Sequence, residues 1–284
     1  MKSFENKTVV VTGAGSGIGK ALALNFADLG SNIAICDINE ENLQITVSEV
    51  RKRGVLNVYS RAFDVSKSEE MHRFASEVND KFSQVDVMIN NAGVALGVLR
   101  GDSVPLDAFE WLMGINFWGM VYGTQAFMPL LKQSKEACLV NISSILGIGS
   151  IAFNAPYCSS KFAIRGYTES LRMESMLEYP HVNILSVHPG GIQTNIAQAA
   201  RTSDNDFTQE QNDSINAEME KSFINTPDYA AQAIIKAIKK RKKKLLIGRD
   251  AKLMNAFVRF FPTSYTKHFI RMFGKPLKMI LEKS

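Results

Sequence analysis

Cysteine is scarce in this chain of 284 residues: Cys36, Cys138 and Cys158 are the full set, and no two form a CxxC pair. That excludes a disulfide framework and favours a reducing compartment. Histidine occurs four times, at 72, 181, 188 and 268, without metal-ligand spacing, so no metal is expected and the histidines read as structural or surface groups. No GxSxG elbow is present, which removes the usual mark of a serine hydrolase. No apolar run reaches the roughly 18 residues of a spanning helix. The opening MKSFENKTVVVTG has too short an apolar run for a secretory leader. A cytoplasmic protein is the expectation.

The composition that remains is that of a globular protein, with 45% hydrophobic and 21% charged residues. Collagen-like, coiled-coil and wholly disordered chains are excluded. The net charge of +5 hides an asymmetry. Residues 236–284 hold 15 Lys or Arg against Asp250 and Glu282, a net of +13. Residues 1–235 carry 18 basic and 26 acidic residues, a net of −8. An acidic body with a basic tail argues against nucleic-acid binding, where the fold itself needs a basic face. The tail is a candidate contact for anionic lipid or an acidic partner. For Lys239–Lys244 a solvated helix end is the simpler reading, since cations suit a helix C-terminus.

Short β-branched runs recur along the first 190 residues: Thr8–Thr12, Asn32–Asp37, Asn57–Ala62, Val85–Asn90, Cys138–Ile142 and Val182–Val187, and one more strand is expected at Lys244–Ile247. They read as buried parallel strands. Segments of helical period lie between them. The first begins near Lys20 and ends at Gly30, and a later one spans Asp228–Lys240 behind Pro227. This alternation implies right-handed βαβ units and an α/β, doubly wound, Rossmann-like parallel sheet. The expected division is a catalytic domain over 1–248 and a basic amphipathic extension over 249–284. Gln193–Asn225 is polar and weakly periodic, which predicts a lid or mobile loop.

The string Thr12-Gly13-Ala14-Gly15-Ser16-Gly17-Ile18-Gly19 sits between the first strand and the first helix. Glycines there let a backbone approach a pyrophosphate, and the helix N-terminus offers free N–H groups to the anion. Asp37 follows Gly19 by 18 residues at the end of the second strand, where a carboxylate can accept bonds from ribose hydroxyls. It would repel a 2′-phosphate. Ser16, Ile38 and Asn39 bring no positive charge, so NAD is favoured over NADP.

Further motifs follow in order: Asn90-Asn91-Ala92-Gly93, then Asn116, then Asn141-Ile142-Ser143-Ser144, then Tyr157-Cys158-Ser159-Ser160-Lys161, then His188-Pro189-Gly190-Gly191-Ile192-Gln193-Thr194. Jointly they resemble the short-chain dehydrogenase/reductase family over about residues 5–248. Tyr157 and Lys161 lie four apart and share a helix face. A free tyrosine titrates near pH 10, and an ammonium beside it favours the phenolate. The pair could then move a proton to a carbonyl or from an alcohol. Ser144, 13 residues before Tyr157, can hydrogen-bond the substrate oxygen; Ser143 is its competitor, and the family's spacing selects Ser144.

The resemblance implies more. Lys161 would also hold the nicotinamide ribose, and Asn116 would hold a water linking Lys161 to solvent. Gly13, Ser16, Gly17, Ile18 and Gly19 would cradle the cofactor, with Asp64 and Val65 at the adenine and Asn91, Ala92 and Gly93 along the adenosine side. Pro189, Gly190, Ile192 and Thr194 would face the nicotinamide. Leu96, Leu146, Ile148, Phe153 and Asn154, with Ser144 and Tyr157, would line the substrate side, whose apolar character favours a lipophilic alcohol or carbonyl compound. Family members commonly form dimers or tetramers through helices near 105–131 and 155–178, so a homodimer or homotetramer is the default.

In residues 251–280, Leu253, Met254, Phe257, Val258 and Phe261, then Tyr265, Phe269, Met272 and Phe273, follow helical spacing on either side of Pro262. They predict two short amphipathic helices. Packing on the body or a second subunit comes first; a substrate flap and a peripheral membrane contact compete with it. The expected function is transfer of hydride between NAD(H) and an alcohol or carbonyl. An NADPH-dependent carbonyl reductase is the nearer alternative. An inactive NAD(H)-sensing protein or a membrane-surface scaffold is the more distant one.

Overall fold

A computed structural model of the chain describes residues 1–194, 196, 200–201 and 223–271. Seven parallel strands form one sheet: β1 Thr8–Thr12, β2 Asn32–Asp37, β3 Val58–Ala62, β4 Val87–Asn90, β5 Ala137–Ile142, β6 Val182–Pro189 and β7 Lys244–Ile247. Their order is β3-β2-β1-β4-β5-β6-β7. All seven expected strands are present, with ends shifted by up to two residues, and β6 continues through Pro189. The expected doubly wound architecture is therefore observed.

The helices are α1 Gly17–Asp28, α2 Glu40–Lys52, α3 Ser68–Phe82, α4 Leu106–Met113, α5 Gly119–Gln133, α6 Ala155–Glu178, α7 Pro227–Lys239 and α8 Arg249–Phe260. α1 starts three residues before the expected Lys20, because the last glycines of the turn already lie in its first turn. A π-helical turn, Gly114–Trp118, joins α4 to α5. β4 and β5 are buried at every position, as central strands covered on both faces must be. Each Val, Ile or Leu hidden there contributes about 1.5–3 kcal/mol.

One core layer sets Leu22, Phe26 and Ile234 of α1 and α7 against the sheet, and the other sets Phe74 and Phe127 of α3 and α5 against the opposite face. The strand order reverses between β1 and β4, which opens a crevice beyond their carboxyl ends. After α8 the chain breaks at Phe261–Ser264 and is helical again over 265–271, as Pro262 predicted. Most of the expected lid over 193–225, together with Met272 and Phe273, lies outside the described residues. Where described, that stretch bridges the body: Leu96 pairs with Arg201 and Ile192 with Asn225.

Candidate active site

Thr12, closing β1, accepts bonds on its hydroxyl from the Asn91 and Ala92 N–H groups, both at 3.0 Å. Asn91 returns Nδ2 to the Thr12 carbonyl at 2.9 Å. These bonds lock the glycine turn to the loop after β4. Gly13 and Gly17 have φ of +66° and +52°, where a side chain is strained, and a Cβ on Gly13 would stand 2.8 Å from the Ala92 Cα. At the N-terminus of α1 Ser16 makes no side-chain cap and no acid stands in the first turn. The open N–H groups and the helix dipole favour an anion there. Asp37 anchors this turn, with Oδ2 accepting from Gly15 N at 2.8 Å and Oδ1 from Asn39 N at 2.9 Å. A carboxylate offers about four acceptor sites, so capacity remains for hydroxyls.

Asp64 accepts from Ser66 N at 2.9 Å, and Val65 is buried against α5, 2.9 Å from where a Gly119 Cβ would lie. Val65 thus packs the scaffold as well as flanking the crevice.

β5 delivers Ser143 and Ser144, and α6 delivers Tyr157 and Lys161, to one place. The Ser144 hydroxyl accepts from Leu146 N at 3.1 Å and is close enough to the Tyr157 phenol to lower its pKa. Ser143 instead donates to the Lys161 carbonyl at 2.8 Å and serves as a brace. Lys161 is 3% exposed; its Nζ lies 5.4 Å from the Tyr157 ring centre and donates to the Ile142 carbonyl at 3.3 Å. Asn116 sits on the π turn, buried, with Oδ1 accepting from Val94 N at 2.8 Å. Its Nδ2 donates to the Val94 carbonyl at 3.0 Å and to Ser160 Oγ at 3.2 Å. A Cβ on Gly93 would stand 3.2 Å from Asn116 Oδ1 and 3.5 Å from Lys161 Nζ, which marks these groups as neighbours across an open backbone.

The expected lowering of the tyrosine pKa by lysine is not what the chain's own groups produce. Burial pushes the Tyr157 phenol up to about 12, and the neighbouring Ser144 hydroxyl only partly opposes it. Burial also takes the Lys161 ammonium down to about 8. The desolvation that raises one group lowers the other. Groups that accept from the ammonium would hold its charge more firmly and so favour the phenolate.

By sequence His188 reads as a structural or surface histidine. It is fully buried on β6, with Nδ1 bonded to the Ser144 carbonyl at 3.0 Å and Nε2 to the Ser186 hydroxyl at 2.9 Å. Burial takes its pKa down to about 4, so the ring is neutral. The carbonyl requires a donor, which assigns the proton to Nδ1 and makes Ser186 the donor to Nε2. His188 therefore fixes the backbone of Ser144.

After Pro189 the loop carries Gly190, Gly191, Ile192 and Thr194. A Thr194 methyl lies 3.2 Å from where a Gly17 Cβ would be, so this loop crosses to the glycine turn. Leu96 and Tyr157 share an apolar cluster with Leu99 and Leu112. Phe153 has φ of +60°, and its carbonyl accepts from Leu99 N at 3.1 Å. Asn154 is the N-cap of α6 and makes no side-chain cap bond. Leu146 and Ile148 lie on the short turn after Ser144, with Ile148 buried. No cluster of metal ligands occurs among the described residues.

A family profile described as short chain dehydrogenase matches residues 7–205. The chain belongs to the short-chain dehydrogenase family. An oxidoreductase of Mycobacterium tuberculosis, SadH, is 34% identical over 94% of this chain and 95% of its own length. Human epidermal retinol dehydrogenase 2 is 30% identical over 92% of this chain and 80% of its own. Among solved structures, a short-chain dehydrogenase/reductase of Burkholderia phymatum in complex with NAD has a TM-score of 0.83 at 27% identity, covering 91% and 95% of the two chains. An alcohol dehydrogenase of Thermococcus sibiricus complexed with 5-hydroxy-NADP has a TM-score of 0.72 at 25% identity, covering 86% and 96%. The chain is thus an oxidoreductase of a family whose members bind NAD or NADP and act on small molecules.

Proposed function

We propose that this short-chain dehydrogenase interconverts an alcohol and a carbonyl compound, prefers NAD(H), and uses Tyr157 to move the proton. The observation that carries the reading is the meeting of Ser144, Tyr157 and buried Lys161 at the carboxyl edge, next to the uncapped start of α1. A nicotinamide cofactor fits this crevice, because the turn leaves no room for side chains where a pyrophosphate would approach. The open N–H groups of α1 and the free acceptor capacity of Asp37 would hold it, and when bound it supplies or receives the hydride. Ser144 holds the substrate oxygen and Tyr157 gives it a proton or removes one. Lys161 places positive charge beside the phenol. Asp37, with no cation at Ser16, Ile38 or Asn39, disfavours a 2′-phosphate.

The apolar side chains of Leu96, Leu146, Ile148 and Phe153 favour a lipophilic substrate, as does the likeness to a retinol dehydrogenase. NADH and NADPH are titrated separately, by energy transfer from protein to nicotinamide fluorescence. NADH preference is expected; NADPH preference would overturn the role of Asp37. Tyr157→Phe should keep NADH binding and lose turnover, and retained turnover would sink the assignment of the acid.

Two partners follow from exposed apolar side chains. Trp118, Phe162, Met173 and Met176 lie exposed on or beside α5 and α6, and suit a homodimer or homotetramer contact. Light scattering at assay concentration should show more than one subunit. No helix among the described residues is long and apolar enough to cross a membrane. The outer face of α8 and the segment after it exposes Leu253, Phe260 and Ile270 among Lys252, Arg259 and Lys267, with no acid between 251 and 271. That face suits peripheral contact with an anionic bilayer. Sedimentation with phosphatidylserine vesicles should fall for Phe260→Asp; an unchanged bound fraction would refute the contact.

A further inference from the structure

The basic extension begins with a carboxylate that turns inward. Asp250, in the first turn of α8, accepts from the Gly191 N–H through Oδ2 at 2.6 Å. Asn225, just before α7, donates Nδ2 to the Gly191 carbonyl at 3.1 Å. The Asn225 carbonyl also accepts from Gln193 N at 2.9 Å. The loop after β6 is therefore gripped on its N–H side from α8 and on its carbonyl side from the approach to α7. The approach of Asp250 is so close that a Cβ on Gly190 would run into its carboxylate, and one on Gly248 would do the same. Both positions are glycine in the sequence. The other carboxylate oxygen, Oδ1, is buried and has no partner among the described residues. A side chain serving only to cap a helix or meet solvent would not be drawn into that position.

We propose that Asp250 is a positioning residue for the nicotinamide end of the cofactor site. It rests on the cofactor reading above, which puts Ile192 and Thr194 against the nicotinamide. Asp250 fixes the Gly190–Gly191 peptide plane and Asn225 the Gly191–Ile192 plane, just before Thr194 reaches back to the glycine turn. A loop held in its binding geometry before the ligand arrives spends no binding energy on being ordered. Asp37, on the adenosine side, makes no hydrogen bond to Asp250 among the described residues, and the loop that Asp250 holds is the one read as facing the nicotinamide. The effect of Asp250 is thus directed mainly at one half of a dinucleotide. It also gives the extension a role in the site, since α8 cannot shift without moving Gly191.

The test uses the full chain and two ligands. NADH carries the nicotinamide, and ADP-ribose lacks it while keeping the adenosine and pyrophosphate. Asp250→Ala should weaken NADH binding about tenfold, the usual scale for one hydrogen bond to a charged acceptor, with ADP-ribose affinity unchanged by calorimetry. Asp250→Asn, which can still accept from Gly191 N, should restore most of the NADH affinity. Asn225→Ala, releasing the same loop from its other side, should reproduce the selective loss even if Asp250→Ala fails to fold. Equal losses for both ligands would overturn the proposal by showing only general damage. So would no loss for NADH. Wild-type protein that binds neither ligand would instead defeat the cofactor reading, and the proposal with it, before any variant is compared.

Discussion

Lowering the pH should destabilise this protein through His188, by an amount the structure sets. The imidazole is neutral in the fold, with its two nitrogens committed to the Ser144 carbonyl and the Ser186 hydroxyl. An unfolded chain protonates this ring near its ordinary value of 6.5, whereas the folded chain resists until about 4. Between those values the unfolded state binds more protons, so stability is complete above 6.5 and drains away as pH falls toward 4. From pH 7.5 to pH 5 the loss from this group is about 2 kcal/mol, given ~1.4 kcal/mol per pKa unit. His188→Asn keeps a short donor for the Ser144 carbonyl and removes the titration. It should cost about 1–2 kcal/mol at pH 7.5, the scale of a lost buried hydrogen bond. Its stability should then fall less steeply with acid than that of the wild type. Urea unfolding of both proteins at the two pH values measures the difference of slopes. Parallel losses in the two proteins would refute the reasoning, as would an NMR titration of His188 with a midpoint near 6.5.

Lys161→Met should leave stability unchanged or raise it by about 1–3 kcal/mol, because the burial that depresses the ammonium works against folding at neutral pH. The same change should reduce turnover at least about 100-fold; urea melts and initial rates on one preparation check both. Gly147→Ala places a Cβ against Ser143 Oγ and 2.6 Å from the Lys161 carbonyl, so a loss of about 1–3 kcal/mol in unfolding free energy is expected, read from a urea melt, with reduced activity. Asp37→Ala should raise NADPH affinity relative to NADH and release the Gly15 and Asn39 N–H groups, at a cost of about 1 kcal/mol in stability. Competition binding of the two cofactors reads the first effect and a urea melt the second.

The sheet was legible because its central strands are short apolar, largely β-branched runs buried on both faces, and period separates them from the helices. The glycine turn was legible because strand, turn and helix are contiguous. What the sequence hid are bonds between residues far apart in it. Asp250 reaches Gly191 across 59 positions and His188 reaches Ser144 across 44, and no local pattern marks either. His188 lies inside the motif that directed attention to Pro189 and Gly190, yet histidine there reads as ordinary until its two partners are seen. The pair Tyr157 and Lys161 was placed correctly on one helix face. Its electrostatics were not, because spacing reports proximity and says nothing of the burial that moves both groups the wrong way for catalysis.

Asn116 shows what a local deviation in a helix can build. The segment between Leu106 and Gln133 reads as helix throughout, but the π turn at Gly114–Trp118 interrupts it, with Gly119 N bonding back to the Gly114 carbonyl. A turn widened in this way places one extra residue on the helix face and releases a carbonyl from its usual i+4 donor. Asn116 occupies that turn, and its side chain meets Val94 as a paired strand would, accepting from the N–H and donating to the carbonyl. Its second amide hydrogen goes to Ser160. With both amide hydrogens committed and the group buried, the side chain braces the Gly93–Val94 backbone opposite Lys161. The π turn and the asparagine thus act together on the fold: the turn sets Asn116 against the loop after β4, and the amide holds that loop beside Lys161.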